Sequence, residues 1–186
     1  MGKRRAIISV WDKTGVIELA RALAGSGYEI LSTSKTAAMI REAGIPVTEI
    51  ADYTGSPEIL GGRVKTLHPK IAGGILTTRK DNTVEPIDVV VANLYPFEDG
   101  LARGATHDEL VELIDIGGVT LLRAAAKNHA FVTVVPDARH YPAIIAELKK
   151  TGSIGEETRK KLAAESFGIT SRYDAAIAKY FQSVTK

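Results

Sequence analysis

Ile87-Asp88-Val89-Val90-Val91-Ala92-Asn93 decides the fold. Its four consecutive apolar residues leave no polar face, so the segment reads as a strand buried on both sides, as at the centre of a parallel sheet. Working outward, residues 5–10 (RAIISV) form a second short buried strand. Residues 28–31 and 45–50 read as two more, with Pro46 near the start of the latter, where its missing N–H is tolerated. Residues 131–135 give a fifth. Helical spacing runs over residues 16–24 (Val16, Leu19, Ala20, Leu23), ended by Gly25 and Gly27, and over 36–43, stopped by Gly44. Residues 140–150, and 156 to the end, are helical as well. Tyr95-Pro96-Phe97 turns out of the central strand. Thr106-His107-Asp108-Glu109 is a capping box opening a short helix, with His107 a solvated first-turn residue. Asp115-Ile116-Gly117-Gly118 ends that helix and begins another. The alternation predicts an α/β fold, a three-layer, mostly parallel sheet with helices on both faces, as a single domain over residues 1–186.

Composition narrows the function. The chain has 186 residues, 45% hydrophobic and 25% charged, which suits one globular core. No apolar run approaches the roughly 20 residues of a membrane span. The basic residues 1–5 lead straight into a strand-like run without a signal-peptide core. Cysteine is absent, which excludes disulfides and thiolate metal sites, and the cytoplasm is the expected compartment. A formal net charge of +2 is too small to imply nucleic-acid binding. His68, His107, His129 and His140 do not pair at metal-ligand spacing, so no metal is expected. Dinucleotide, Walker A and serine-hydrolase signatures are missing.

In an open parallel sheet, ligands bind beyond the carboxyl ends of the strands. Those ends carry Trp11, Asp12 and Lys13, then Ser32, Thr33, Ser34, Lys35 and Thr36, then Asn93 and Tyr95. Residues 32–36 precede a helix, where hydroxyls and free N–H groups make an anion site; Lys13 and Lys35 add charge, and Arg63 can grip phosphate oxygens in pairs. The plain alternative is that these hydroxyls only cap the helix. Residues 51–78 are rich in Gly, Pro and Thr, carry Arg63, Lys65, His68 and Lys70, and read as an irregular functional segment with short helical pieces. Asp115 lies beside two glycines that let a substrate approach main-chain N–H groups, an arrangement suited to an oxyanion hole or, more simply, to a cap and turn.

Several ordered segments together resemble the IMP cyclohydrolase domain of the bifunctional purine biosynthesis protein, whose fold is shared with methylglyoxal synthase. They are Ser9-Val10-Trp11-Asp12-Lys13-Thr14-Gly15, Asp52-Tyr53-Thr54-Gly55, Gly62-Arg63-Val64-Lys65-Thr66-Leu67-His68-Pro69, Asn93-Leu94-Tyr95-Pro96-Phe97, Ile114-Asp115-Ile116-Gly117-Gly118 and Ala125-Ala126-Lys127-Asn128-His129. The resemblance implies a hydrolase-class enzyme closing the second purine ring: the carboxamide nitrogen of a formylated aminoimidazole ribonucleotide attacks the formyl carbon, and water leaves to give IMP. It implies no cofactor, a small purine ribonucleotide as partner and a homodimer. It assigns catalysis to Lys65, Tyr95, Asp115 and Lys127, with Asp115 and Lys127 a coupled acid/base pair. Substrate contacts fall to Lys13, Thr33, Ser34, Lys35, Thr36, Arg63, Thr66 and Asn93, and to backbone N–H groups near Ile116 and Gly117. Lys65, Lys127 and Arg63 gathered in one pocket would lower a lysine pKa.

The chain departs from the family pattern at Trp11, where a serine is usual, and at Ser34 and Lys35, where two glycines are usual. The transformylase part of the bifunctional protein has no counterpart in these residues, and the segment from Tyr173-Asp174 to Tyr180-Phe181 resembles the end of the cyclohydrolase part. Asp115 and Lys127 stand 12 positions apart, about 18 Å on one straight helix. Either that helix ends early and the chain turns back, or the two residues come from different subunits. A non-catalytic phosphate-sensing domain is the alternative function, and methylglyoxal synthase fits the fold but not residues 62–69.

Overall fold

The computed structural model describes residues 2–80 and 83–185; Met1, Asp81, Asn82 and Lys186 lie outside the described residues. In chain order the elements are β1 (Arg4–Ser9), α1 (Val16–Gly25), β2 (Tyr28–Ser32), α2 (Ser34–Glu42), β3 (Thr48–Glu49), α3 (Ile50–Thr54), α4 (Pro69–Leu76), β4 (Val89–Ala92), α5 (Phe97–Ala102), α6 (His107–Glu112), α7 (Gly117–Lys127), β5 (Thr133–Val135), α8 (Tyr141–Thr151) and α9 (Glu156–Val184). The strands form one sheet in the order β3-β2-β1-β4-β5, parallel at every pairing. β1 and β4 sit at its centre. Ile7, Ile8, Val90, Val91 and Ala92 have no exposed surface, and burial of each larger aliphatic side chain stabilises the fold by about 1.5–3 kcal/mol.

From β1 the chain steps outward to β2 and β3, then crosses back to place β4 on the other side of β1. Crossovers in parallel sheets are right-handed, so the two directions of travel put their helices on opposite faces. Accordingly α1 packs with α8, while α4 and α9 both pack on α7. The reversal between β1 and β4 opens a crevice at the carboxyl edge.

The structure corrects two local expectations. The third strand is not 45–50 but two residues, Thr48 and Glu49, paired to Leu31 and Ser32 at the sheet edge. Where a turn was expected after Tyr95, Phe97 begins α5; it is 1% exposed and packs edge-on against Tyr173 and Tyr180 in a small second core. His107 is exposed yet stacks on Tyr180, with Nδ1 2.8 Å from its hydroxyl. The capping box is present in full, with Thr106 N–H donating to Glu109 Oε2 at 2.8 Å and Glu109 N–H donating to Thr106 Oγ1 at 3.4 Å. Among the described residues no helix is long and apolar enough to cross a membrane.

Candidate active site

The carboxyl edge is organised by Asn93, the first residue beyond β4. Its Oδ1 accepts the N–H groups of Trp11 at 2.6 Å and Asp12 at 3.1 Å, and its Nδ2 donates to the Asp12 carbonyl at 2.9 Å. This latch ties the turn after β1 to β4 at the crevice. The exposed Trp11 indole then meets the Tyr95 ring edge-on, with centroids 5.1 Å apart. Lys13 turns back, donating to the carbonyls of Val10 (3.2 Å) and Trp11 (3.1 Å). Burial, together with the nearby Lys35 charge, pushes its amine below the usual lysine range against the pull of Asp12.

At the end of β2, Ser32 Oγ donates to Ile8 and Thr36 Oγ1 to Val10, so both buried hydroxyls are turned into the fold. Thr33 caps α2 from extended backbone without a side-chain hydrogen bond to the helix, and its Oγ1 lies 3.5 Å from Ser9 Oγ. Ser34 has φ 35°, left-handed backbone that glycine adopts without strain. The glycine usual in the resembling family suits that geometry, and the serine here keeps it. The Ser34 hydroxyl accepts from Lys65 Nζ at 2.9 Å and donates to Glu58, while Lys65 also pairs with Glu58 at 3.2 Å. Lys65 can fold back this way because Gly62 (φ 89°) has no side chain: a Cβ there would stand 2.7 Å from Lys65 Cε.

The irregular segment next delivers Thr66, 9% exposed, against the start of α7, where a Cβ on Gly117 would come within 2.9 Å of Thr66 Oγ1. Asp115 precedes that helix start. Its Oδ1 accepts the Gly118 N–H at 2.6 Å and its Oδ2 the Tyr95 N–H at 3.4 Å. A Cβ on Gly118 would lie 2.6 Å from Oδ2, so only glycine leaves room for the carboxylate. Burial raises the Asp115 carboxyl above the usual carboxylate range, and the two N–H groups partly oppose the shift.

These contacts close a ring around the carboxyl edge: Trp11, Tyr95, Asp115, Gly117, Thr66, Lys65, Ser34, Thr33 and back to Ser9. Of the four residues assigned to catalysis by resemblance, Lys65, Tyr95 and Asp115 belong to it. Lys127 does not. α7 is one continuous helix and Lys127 is its last residue, exposed, ten positions and about 15 Å beyond Gly117. The early helix end that would have returned Lys127 to Asp115 is therefore absent. The expected cluster of Lys65, Lys127 and Arg63 is also not formed within the chain: Arg63 is exposed and clasps Glu112 of α6. Lys35 is exposed, and the Asn93 amide is spent on the latch rather than left for a base. Sequence reasoning gave no role to Glu58, Glu112 or Tyr173, which meet Lys65 and Ser34, Arg63, and the Asp115 N–H in turn.

A cleft of about 670 Å³ opens on the β5 side of the latch, lined by Trp11, Lys13, Asn93 and the carboxylates of Asp12, Asp99 and Asp137. Three carboxylates make it a poor seat for phosphate, and it contains none of Lys65, Tyr95 or Asp115. The ring, with Lys65 and the α7 N-terminus, is the better anion site. Among the described residues no His, Asp and Glu side chains gather into a set able to hold a metal.

The MGS-like domain family matches residues 15–120, which carry β2, β3 and β4 of the parallel sheet and most of the ring, and the chain belongs to that family. Residues 125–186 match a second family description, AICARFT/IMPCHase bienzyme. The chain is 51% identical over 184 residues to the bifunctional purine biosynthesis protein PurH of Persephonella marina, covering 94% of this chain and 36% of that protein. It is 49% identical over 187 residues to PurH of Parvibaculum lavamentivorans, covering 96% and 35%. The chain thus spans about a third of the length of these relatives. The crystal structure of ForH superposes with a TM-score of 0.81 at 33% identity, covering 96% of this chain and 97% of that one.

Proposed function

We propose that the chain is an IMP cyclohydrolase, closing the pyrimidine ring of 5-formamidoimidazole-4-carboxamide ribonucleotide with loss of water. The observation that carries this reading is the half-buried Asp115 carboxylate held by two N–H groups beside the Tyr95 turn, in one ring with Lys65. The family descriptions and the names of the relatives support it.

The chemistry needs a base for a poor nucleophile and donors for an oxygen that gains charge. Asp115, with its raised pKa, takes a proton from the carboxamide nitrogen as that nitrogen bonds to the formyl carbon. The formyl oxygen takes a proton from the Lys65 ammonium and becomes a hydroxyl, held by first-turn N–H groups near Ile116 and Gly117, which have no acceptor within their own helix. The C–O bond then breaks: the formamide nitrogen returns a proton to Lys65, the hydroxyl takes the proton held by Asp115 and leaves as water, and Tyr95 donates a hydrogen bond to the leaving oxygen as IMP forms. The phosphate lies against Lys13, Thr33, Ser34, Lys35 and the Thr36 backbone, and Arg63 and Thr66 hold the ribose phosphate side. Binding draws Lys65 and Arg63 away from Glu58 and Glu112.

Lys127 joins the site from a second copy of the chain. Ile116, Thr120, Arg123 and Lys127 are all exposed and fall at spacings of four, three and four, one stripe along α7. Two such helices packed antiparallel about a two-fold axis bring each Lys127 to the other chain's Ile116 and Gly117. Ile59 (52% exposed), Leu60 (71%) and Ile116 (57%) offer apolar surface for that contact. The enzyme is accordingly a homodimer, and the cytoplasm is its proposed location.

The test is to follow IMP formation from the formylated ribonucleotide against its spontaneous rate, with Lys65→Ala and Asp115→Ala alongside. A rate above background that both substitutions remove is expected. A wild-type rate equal to those of the variants overturns the reading, and binding without turnover favours a phosphate sensor.

A further inference from the structure

Tyr173 lies on α9, 58 residues from Asp115, and the reaction as described does not use it. It is 6% exposed, with its ring edge-on to Phe97 at 6.3 Å. Its hydroxyl accepts the Asp115 N–H at 2.8 Å and donates to the Leu113 carbonyl at 2.6 Å. One phenol therefore closes both hydrogen-bonding groups of the bend between α6 and α7, on either side of Ile114. Left unpaired in this half-buried bend, each group would cost about 1–3 kcal/mol, so the hydroxyl removes the alternatives open to the loop. Burial pushes the phenol up to about 12, the Asp115 N–H that donates to it pulls the other way, and the nearby Asp115, Asp174 and Tyr95 side chains add to the rise, so it stays protonated at neutral pH.

The consequence reaches the carboxylate. Asp115 has its two side-chain oxygens held by Gly118 and Tyr95, and its own main chain held by Tyr173. With backbone and both oxygens fixed, the carboxylate has a single orientation relative to the α7 N-terminus. We propose that Tyr173 is a positioning residue for Asp115, acting through the main chain on the direction in which the carboxylate meets the reacting nitrogen rather than on nucleotide binding. This rests on the cyclohydrolase reading given above. It assigns a role to the Tyr173-Asp174 segment that the reaction itself leaves without one.

Tyr173→Phe removes the hydroxyl and keeps the ring against Phe97. Phe97→Leu serves as the control that loosens the same packing and keeps the hydroxyl. Two readouts are taken on the full dimeric protein: kcat and KM for ring closure, and the titration of the Asp115 carboxyl by carbon-13 NMR, which needs no turnover. The groups facing Asp115 in that titration are Tyr95 from the β4 turn and Tyr173 from α9, with Asp174 behind it. In Tyr173→Phe, kcat falls about 10- to 100-fold with KM nearly unchanged. The Asp115 pKa also falls, because a loosened bend admits water. Phe97→Leu lowers the melting temperature without either change. Wild-type kcat and Asp115 titration in Tyr173→Phe overturn the proposal, as does an equal loss of kcat in Phe97→Leu. Should the wild-type protein lack ring-closing activity, the cyclohydrolase reading fails, and the NMR titration still decides whether Tyr173 governs Asp115.

Discussion

In the proposed reaction Asp115 is the residue on which the chemistry turns. Burial raises its carboxyl, so the native state binds that proton more tightly than the unfolded chain does. The base of the proposed reaction works only when ionised; activity is therefore expected to be lost as pH falls through this raised pKa, with the acid limb of a kcat/KM–pH profile above the ordinary carboxylate range. The same shift means that holding the charged form costs stability once pH rises past the unfolded carboxylate value. Asp115→Asn is predicted to lower kcat by about 100-fold or more, measured by turnover, and to leave one of the two N–H groups that hold the carboxylate without an acceptor. Gly118→Ala separates two effects. Alanine in a helix is favoured over glycine by about 1 kcal/mol, but its Cβ would meet the Asp115 carboxylate at 2.6 Å, an overpacking cost of about 1–3 kcal/mol. The collision wins, so this variant loses both activity and stability.

At the scale of elements, local signals in the sequence carried far where burial and local rules agree. The central strand was legible because Val89–Ala92 is apolar on both faces, and α6 because Thr106 and Glu109 stand at capping-box spacing. α5 was not legible: Tyr95-Pro96-Phe97 read as a turn, and what favours the helix is Phe97 packed against two tyrosines of α9, more than 70 residues away. β3 was overestimated because an apolar run does not reveal that only Thr48 and Glu49 find a partner. The candidate site divides in the same way. Tyr95 lies just past the end of β4, on the edge where the alternating pattern places it, whereas Lys65 and Asp115 were assigned by resemblance and come there through the irregular segment and the bend before α7. Glu58, Glu112 and Tyr173 reach their partners through tertiary contacts. The Asn93 latch belongs to this scale too. Asn93→Ala removes three hydrogen bonds between the β1 turn and β4, and is predicted to destabilise by about 1–3 kcal/mol and to raise KM as the Trp11–Lys13 turn loosens, read by thermal unfolding and steady-state kinetics.

For the whole molecule, the continuous α7 sets the problem. It holds Asp115 at one end and Lys127 at the other, too far apart to share a proton, and its exposed stripe offers a two-fold solution in which each copy supplies the lysine of its neighbour. Activity per chain is then expected to fall when the protein is diluted below its dimer dissociation constant, followed by turnover against light scattering. The most direct measurement uses two differently tagged chains, one carrying Asp115→Ala and the other Lys127→Ala, co-expressed and purified as the mixed dimer. Each homodimer of either variant is inactive, whereas the mixed dimer holds one intact Asp115–Lys127 pair, so it should close the ring at about half the wild-type rate. A mixed dimer as inactive as its parents, made from a wild type that turns over, would contradict a site built from two copies.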